Sequence, residues 1–199
     1  MLNLQDILTE AIKNSNSKLK LLLTSCGFDN KKFVKIFLDN IGKDPKNIKA
    51  CFIPTAAIDQ ESKDILPACL KELEDDLQIP KENITTYNLD KRCDLTQFDT
   101  IYIAGGTPSY LIKQIHKANM HKEFLRAIKK GVFIIGVSAG SMIFSPIVKN
   151  HIPILDNKLD VHTVKRSTPN GDLPPAKEQI NLGNMSAILI LGTKRQIIS

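Results

Sequence analysis

One serine of the chain stands in a context that suits covalent catalysis. Residues 136–140 read Gly-Val-Ser-Ala-Gly, which has the form G-x-S-x-G with Ser138 at its centre. In a nucleophile elbow of this form, a sharp turn between a strand and a helix presents the serine hydroxyl at the carboxyl end of a sheet. The small neighbours leave room for the turn, and the amide of Ala139 is placed to hold an oxyanion. The alternative is a chance match to a short motif.

The segments on either side of Ser138 favour the catalytic interpretation. Residues 132–137 are apolar and mostly β-branched, which predicts a strand covered on both faces. Residues 141–144 can begin a helix. The motif therefore has the strand–turn–helix setting that it requires.

A second glycine motif follows another predicted strand. Residues 98–104 predict a strand, and Gly105 and Gly106 come directly after it. An ordinary turn would explain two glycines, but glycine also lets a backbone amide approach a ligand closely. Because parallel strands deliver their loops to the same sheet edge, we expect Gly105, Gly106 and Ser138 to face one crevice.

The remaining pattern predicts one α/β domain over residues 18–199. Predicted strands at 19–25, 49–55 and 84–89 alternate with helices at 30–40 and 60–77, the second with its acids on the outer face. This alternation implies a mostly parallel sheet with helices on both faces. The region from 145 to 175 is rich in loops, and residues 187–192 predict a last strand or half of a hairpin with 195–198.

Residues 1–17 are expected to form a separate helical extension. Apolar residues recur at helical spacing between positions 3 and 13, and a polar break follows. Two roles are open for this helix, a contact in a homodimer or packing on its own domain, and its apolar stripe favours packing.

Composition excludes several classes of function. The net charge is +6 and the pI about 9.1, but the lysines are dispersed, tryptophan is absent and only three tyrosines occur, so no nucleic-acid-binding platform is expected. The four cysteines show no zinc-site spacing and are expected to be reduced thiols. No membrane span or signal peptide is predicted, so we expect a cytoplasmic protein that does not bind membranes.

The two glycine motifs together resemble the peptidase E family of serine peptidases. Residues 104–111, Ala-Gly-Gly-Thr-Pro-Ser-Tyr-Leu, and 135–142, Ile-Gly-Val-Ser-Ala-Gly-Ser-Met, carry the resemblance at the family's usual interval. It implies a three-layer α/β/α fold like that of class I glutamine amidotransferases. It further implies Ser138 as nucleophile, an oxyanion hole from the Gly106 and Ala139 amides, no cofactor or metal, and hydrolysis of small peptides such as dipeptides with an N-terminal aspartate.

The chain departs from the family at three positions. Thr107 stands where the family usually has a substrate-binding asparagine, and no carboxylate occurs near 149–153, where the family has its acid. The family's Pro-His segment for the base does not occur anywhere in the sequence. Two histidines downstream of Ser138 are open candidates for that base. His162, with Asp160 two residues before it, is favoured over His151.

Three hypotheses follow. The first is a serine-type dipeptidase in which Ser138 and His162 are catalytic and Gly105, Gly106, Thr107 and Ala139 bind substrate or oxyanion. The second is a binding or regulatory protein on the same scaffold without a working base. The third is a truncated or rearranged copy with no function beyond folding. A histidine close to Ser138 discriminates the first from the second.

Overall fold

The computed structural model describes residues 9, 10, 12, 14, 16–163 and 167–199 of the 199-residue chain. Most of the predicted extension over 1–17 lies outside these residues, so its helix and its homodimer contact stay predictions. The helices are Lys32–Ile41 (α1), Gln60–Lys71 (α2), Pro108–Lys117 (α3), His121–Lys130 (α4) and Ala139–Met142 (α5). The strands are Lys20–Thr24 (β1), Ala50–Ile53 (β2), Ile84–Thr86 (β3), Thr100–Ile103 (β4), Phe133–Val137 (β5), Lys158–Asp160 (β6), Gly171–Asp172 (β7), Gln179–Asn181 (β8), Ala187–Leu191 (β9) and Lys194–Ile198 (β10).

Eight of these strands form one sheet with the order β3-β2-β4-β5-β1-β9-β10-β7. The pairings from β3 to β1 are parallel, whereas those from β1 to β7 are antiparallel. β5 lies between β4 and β1, and all three run in the same direction. The residues that follow them, Gly105, Ser138 and Ser25, therefore meet at one edge.

Two hydrophobic layers cover the faces of this sheet. Along β1, Leu21 and Leu23 belong to one buried cluster and Leu22 to the other, as the alternation of a strand requires. The first cluster includes residues of α3 and α4, and the second includes residues of α1 and α2. The predicted three-layer α/β/α architecture with a mostly parallel sheet is confirmed. Nowhere in the described part of the chain is a helix long and apolar enough to cross a membrane.

Several predicted boundaries shift. The helix predicted over 60–77 ends as α-helix at Lys71 and continues as a π-helical turn over Glu72–Asp76, which binds the Leu77 amide to the Glu72 carbonyl. β9 and β10 form the terminal hairpin. In the loop-rich region, β6 and β8 pair in a separate two-stranded parallel sheet, and β7 adds to the edge at β10.

Candidate active site

Ser138 occupies a strained turn between β5 and α5. Its backbone has φ 50° and ψ −112°, a conformation that non-glycine residues rarely adopt and that costs about 1–3 kcal/mol. The turn is held from both sides, because the Ser138 amide donates to the Thr24 carbonyl over 2.9 Å and the Ser138 carbonyl accepts from the Ser141 amide over 2.9 Å. Ser138 lines a cleft on the surface of the protein. The nucleophile-elbow geometry predicted from the motif is present.

The motif's second glycine permits close packing beneath the serine. A Cβ atom on Gly140 would lie 2.2 Å from the carbonyl oxygen of Ile103 in β4. A larger residue would push the start of α5 away from the sheet. Gly140 therefore lets the elbow sit directly against the neighbouring strand.

The loop after β4 touches the serine, as its place in the sheet predicts. A Cβ on Gly105 would lie 3.2 Å from the Cβ of Ser138. Gly106 has φ 132° and lies against the Ala56 carbonyl, which also accepts from the Thr107 amide over 2.8 Å. Neither the Gly106 amide nor the Ala139 amide has an acceptor among the described residues. Two amides beside a serine hydroxyl are the groups from which an oxyanion hole is built.

His162 lies next to Ser138. Its Nε2 atom is 3.0 Å from the Ser138 Oγ, within the range in which a histidine can take a proton from a hydroxyl. His162 also has a positive φ of 59°, so both members of this pair adopt a backbone conformation that is uncommon for residues with a side chain. The His162 residue itself is exposed, at the mouth of the cleft.

Long-range hydrogen bonds hold the backbone of His162 in place. The buried Ser25 hydroxyl accepts from the His162 amide over 3.2 Å and donates to the Leu182 carbonyl over 3.0 Å. The Leu182 carbonyl also accepts from the Thr163 amide, and the Leu182 amide donates to the Asp160 carbonyl. The pairing of β6 with β8 brings these segments together. His162 is thus tied to the carboxyl end of β1.

Asn184 takes the place behind the imidazole. Its Oδ1 atom is 3.3 Å from the His162 Nδ1. Since a carbonyl oxygen only accepts, this contact favours the tautomer with hydrogen on Nδ1, which leaves Nε2 free to accept from Ser138. Asp160, the carboxylate expected to act with His162, instead accepts from the Val161 amide over 3.0 Å. Sequence reasoning missed Asn184, because an isolated asparagine in a loop carries no motif.

Cys26 is a second group near the same imidazole. Its Sγ atom lies 3.5 Å from the His162 Nδ1. Burial raises the pKa of the Cys26 thiol above its ordinary value, and the neighbouring Asp29 and Glu72 raise it further. Because the thiolate is the reactive form, Cys26 is a poor nucleophile in this setting, which favours Ser138 as the reactive group.

The other predicted site residues lie apart from the serine or contribute through the backbone. His151 is not among the residues that line the cleft, and burial lowers its pKa. The Thr107 and Ala139 side chains are also absent from the cleft lining, although the amide of Ala139 borders Ser138. Among the described residues, no group of three histidine, cysteine or acidic side chains is placed to hold a metal ion.

The cleft in front of Ser138 has a volume of about 570 Å³. One wall is α2, and the other is formed by the loops after β1, β4 and β5. This volume falls in the usual range for sites that bind small molecules. The cleft therefore has room for a short peptide beside the serine.

A serine on a strained turn after a central parallel strand places this protein in the class of α/β proteins with a nucleophile elbow. The model of peptidase family S51 matches residues 21–158, which is well over half of the chain. The chain belongs to peptidase family S51. The predicted resemblance to peptidase E is confirmed at the level of the family.

Relatives and solved structures agree with this assignment. The chain is 34% identical over 97 residues to the uncharacterized peptidase Lin0382 of Listeria innocua and to the uncharacterized peptidase Lmo0363 of Listeria monocytogenes. These matches cover 48% of this chain and 46% and 47% of the relatives, so the chain spans about half the length of the curated relatives it matches.

Two solved structures share the fold. One is a candidate peptidase E protein from Listeria monocytogenes EGD-e, with a TM-score of 0.67 and 22% identity over 90% of this chain and 98% of that chain. The other is a peptidase from an acI-B1 Actinobacterium, with a TM-score of 0.64 and 19% identity over 91% of this chain and 87% of that chain. At these identities the likeness concerns the fold.

Proposed function

We propose that this protein is a serine-type peptidase that hydrolyses small peptides, with Ser138 as nucleophile and His162 as general base. The observation that carries the proposal is the 3.0 Å contact between His162 Nε2 and the Oγ of a serine on a strained elbow. A nucleophile activated in this way needs a base within hydrogen-bond reach and a third group that orients the base. Asn184 supplies that third group in this proposal.

The proposed reaction begins with attack on the peptide carbonyl. Ser138 Oγ bonds to the carbonyl carbon while His162 Nε2 takes the hydroxyl proton, and the Gly106 and Ala139 amides donate to the developing oxyanion. The imidazolium then gives its proton to the leaving amine, which breaks the peptide bond and leaves an acyl-serine. Water, deprotonated by the same imidazole, hydrolyses the acyl-serine and restores the hydroxyl.

Asn184 acts in this mechanism as a positioning residue. It accepts from the His162 Nδ1–H and so keeps Nε2 available, a role that asparagine also fills in the Cys-His-Asn sites of papain-like proteases. Being neutral, it stabilises the imidazolium less than a carboxylate would.

The second hypothesis, a binding protein without a working base, predicted either no histidine near Ser138 or one that faces solvent. His162 is an exposed residue, but its Nε2 atom lies 3.0 Å from the Ser138 Oγ. The proximity of His162 supports the enzyme instead.

Thr107 in place of the family's asparagine removes one reason to assign specificity for an N-terminal aspartate. A location in the cytoplasm remains part of the proposal.

The test is hydrolysis of a defined mixture of dipeptides and tripeptides, followed by mass spectrometry. We expect the wild type to consume part of the mixture and Ser138→Ala to consume none. Ser109→Ala is the matched control, because Ser109 is exposed at the start of α3 and does not line the cleft. Equal consumption by the wild type and a folded Ser138→Ala variant would exclude the proposed mechanism.

A further inference from the structure

The cleft that ends at Ser138 has a charge opposite to that of the whole chain. Four carboxylates line it, from Asp29, Asp59, Glu61 and Glu72. Among the described lining residues there is no lysine or arginine, although the chain has 27 of these residues against 21 acids. The acids are not a separate site, because the same walls contain Ser138 and His162. A substrate that reaches the serine must therefore pass beside them.

The α2 wall has a carboxylate at each end and an apolar middle. Three residues of this wall, Glu61, Ile65 and Ala68, lie in α2, and Glu72 begins the π-helical turn that continues it. Their spacing of four, three and four residues places all four on one face. Eleven residues of helix span about 16 Å. Ile65 is 55% exposed, an unusual exposure for a large apolar side chain, and it faces the cleft between the two carboxylates.

In the described part of the chain, no lysine or arginine forms an ion pair with a carboxylate that lines the cleft. Glu72 accepts hydrogen bonds from the Phe28 amide, over 3.0 Å, and from the Tyr102 hydroxyl, and both donors are neutral. None of the ion pairs between described residues involves Glu72, Glu61 or Asp29. Desolvation raises the pKa of Glu72, so its charge is unfavourable where it lies. A cation entering the cleft would offset that penalty.

We propose that the cleft selects small peptides with a lysine or arginine side chain and disfavours peptides with an aspartate side chain. Lysine and arginine have an apolar stem and a charged end, so the stem fits along Ile65 and Ala68 while the charge reaches a carboxylate. An aspartate side chain in the same place would meet like charges. This inference rests on the proposed peptidase function and names its substrate class.

The first test compares kcat/KM for dipeptides that differ only in charge. The set is Lys-Leu, Arg-Leu, Leu-Leu and Asp-Leu, with the reversed dipeptides Leu-Lys, Leu-Arg and Leu-Asp to find which residue enters the cleft. We expect a basic dipeptide to exceed the matching acidic one by about 100-fold, since like charges in an interface are strongly unfavourable. Equal values, or a preference for aspartate, would overturn the inference while leaving the peptidase proposal in place.

The second test changes two carboxylates that line the cleft, Asp29 after β1 and Glu61 on α2. The double variant Asp29→Asn with Glu61→Gln should raise KM for the preferred basic dipeptide by about tenfold and change kcat little. The matched control is Asp75→Asn with Glu82→Gln, since both residues are exposed and neither lines the cleft. An equal rise of KM in both double variants would show that the effect comes from the net charge of the protein rather than from the carboxylates of the cleft. That result would overturn the inference.

Binding to Ser138→Ala separates the two proposals, because it needs no catalysis. Titration calorimetry with Lys-Leu, Arg-Leu and Asp-Leu should show tighter binding of a basic dipeptide. If the wild type hydrolyses nothing but Ser138→Ala binds a basic dipeptide selectively, the peptidase proposal fails and the charge preference stands. If neither hydrolysis nor selective binding is seen, both fail.

Discussion

The two members of the candidate catalytic pair are positioned by different means. Ser138 is placed locally, by the five residues 136–140 and by the strand that ends just before them. His162 is placed from a distance, by a hydrogen bond to Ser25 and by the chain around Leu182. One position can be inferred from a short motif, whereas the other depends on how separate segments fold together.

The match to the family model includes Ser138 but not His162. It covers residues 21–158, which include the elbow and the Gly105–Gly106 loop, and it ends before His162. Ser138 and the two amides thus lie within the segment that the family model matches, and the proposed base, His162, lies beyond it. A histidine brought to the edge of the sheet by another route can still meet the serine, because the edge gathers the loops of several strands.

The largest expected effect removes the distant member of the pair. His162→Ala should reduce kcat by about 10⁴- to 10⁶-fold, as in serine triads that lose their histidine. His151→Ala is the control and should change kcat little, since His151 does not line the cleft. The double variant with Ser138→Ala should lose no more than either single variant. Steady-state hydrolysis measures all of these rates, and a larger loss in His151→Ala would reverse the assignment.

Loss of the Ser25 hydroxyl should affect the base but not the nucleophile. Ser25→Ala removes the acceptor for the His162 amide, and we expect kcat to fall by about 100-fold, with a loss of about 1–3 kcal/mol in the free energy of unfolding. Ser145→Ala is the matched control, because this buried hydroxyl bonds the Leu159 amide and the Asn157 carbonyl in the same region. If Ser145→Ala loses as much kcat at equal stability, Ser25 has no positioning role.

A smaller effect is expected at Asn184. Asn184→Ala should lower kcat by about tenfold and leave KM unchanged, because the residue orients His162 and touches the imidazole rather than the peptide. Asn184→Asp should restore kcat or exceed the wild-type value, since a carboxylate accepts from Nδ1 and also stabilises the imidazolium. If the Asn184→Asp variant is as slow as the Asn184→Ala variant, a hydrogen-bond acceptor beside the His162 Nδ1 does not contribute to kcat.

The smallest effect concerns the α2 wall of the cleft, where the Glu72 carboxylate is partly buried. Because burial raises the pKa of Glu72, the folded protein binds this proton more tightly than the unfolded chain does. The free energy of unfolding should therefore fall as the pH rises from about 4 through the raised pKa.

Glu72→Gln should remove this contribution, so the variant should gain stability relative to the wild type between about pH 4 and about pH 7. Urea unfolding at both pH values measures the difference. Glu82→Gln, on the exposed surface, is the control and should show no comparable gain. A gain of equal size in the control would remove Glu72 as the source.

Much of the elbow side was predictable from sequence. The apolar run before Ser138 and the pairs of glycines specify β5, the elbow and the loop after β4, because these features need particular residue types at fixed spacing. The alternation of strands and helices likewise predicted the three layers and their shared sheet edge.

The base side and the acidic wall were less predictable. β6 and β8 have three residues each, too few to show a periodic pattern, so the contact that brings His162 to Ser138 was not visible. The loop residue Asn184 had no local signal. The acids of α2 were predicted to lie on an outer, solvated face, whereas Glu61 and Glu72 line the cleft, because the outer face of that helix is one of its walls.

Reaction with a fluorophosphonate tests most directly whether His162 activates Ser138. The adduct would be followed by intact mass and located by peptide mapping, in the wild type, His162→Ala and Ser138→Ala. We expect a single adduct on Ser138 in the wild type, a reaction slower by orders of magnitude in His162→Ala and no adduct in Ser138→Ala. A wild type that reacts no faster than a folded His162→Ala variant would contradict the catalytic pair.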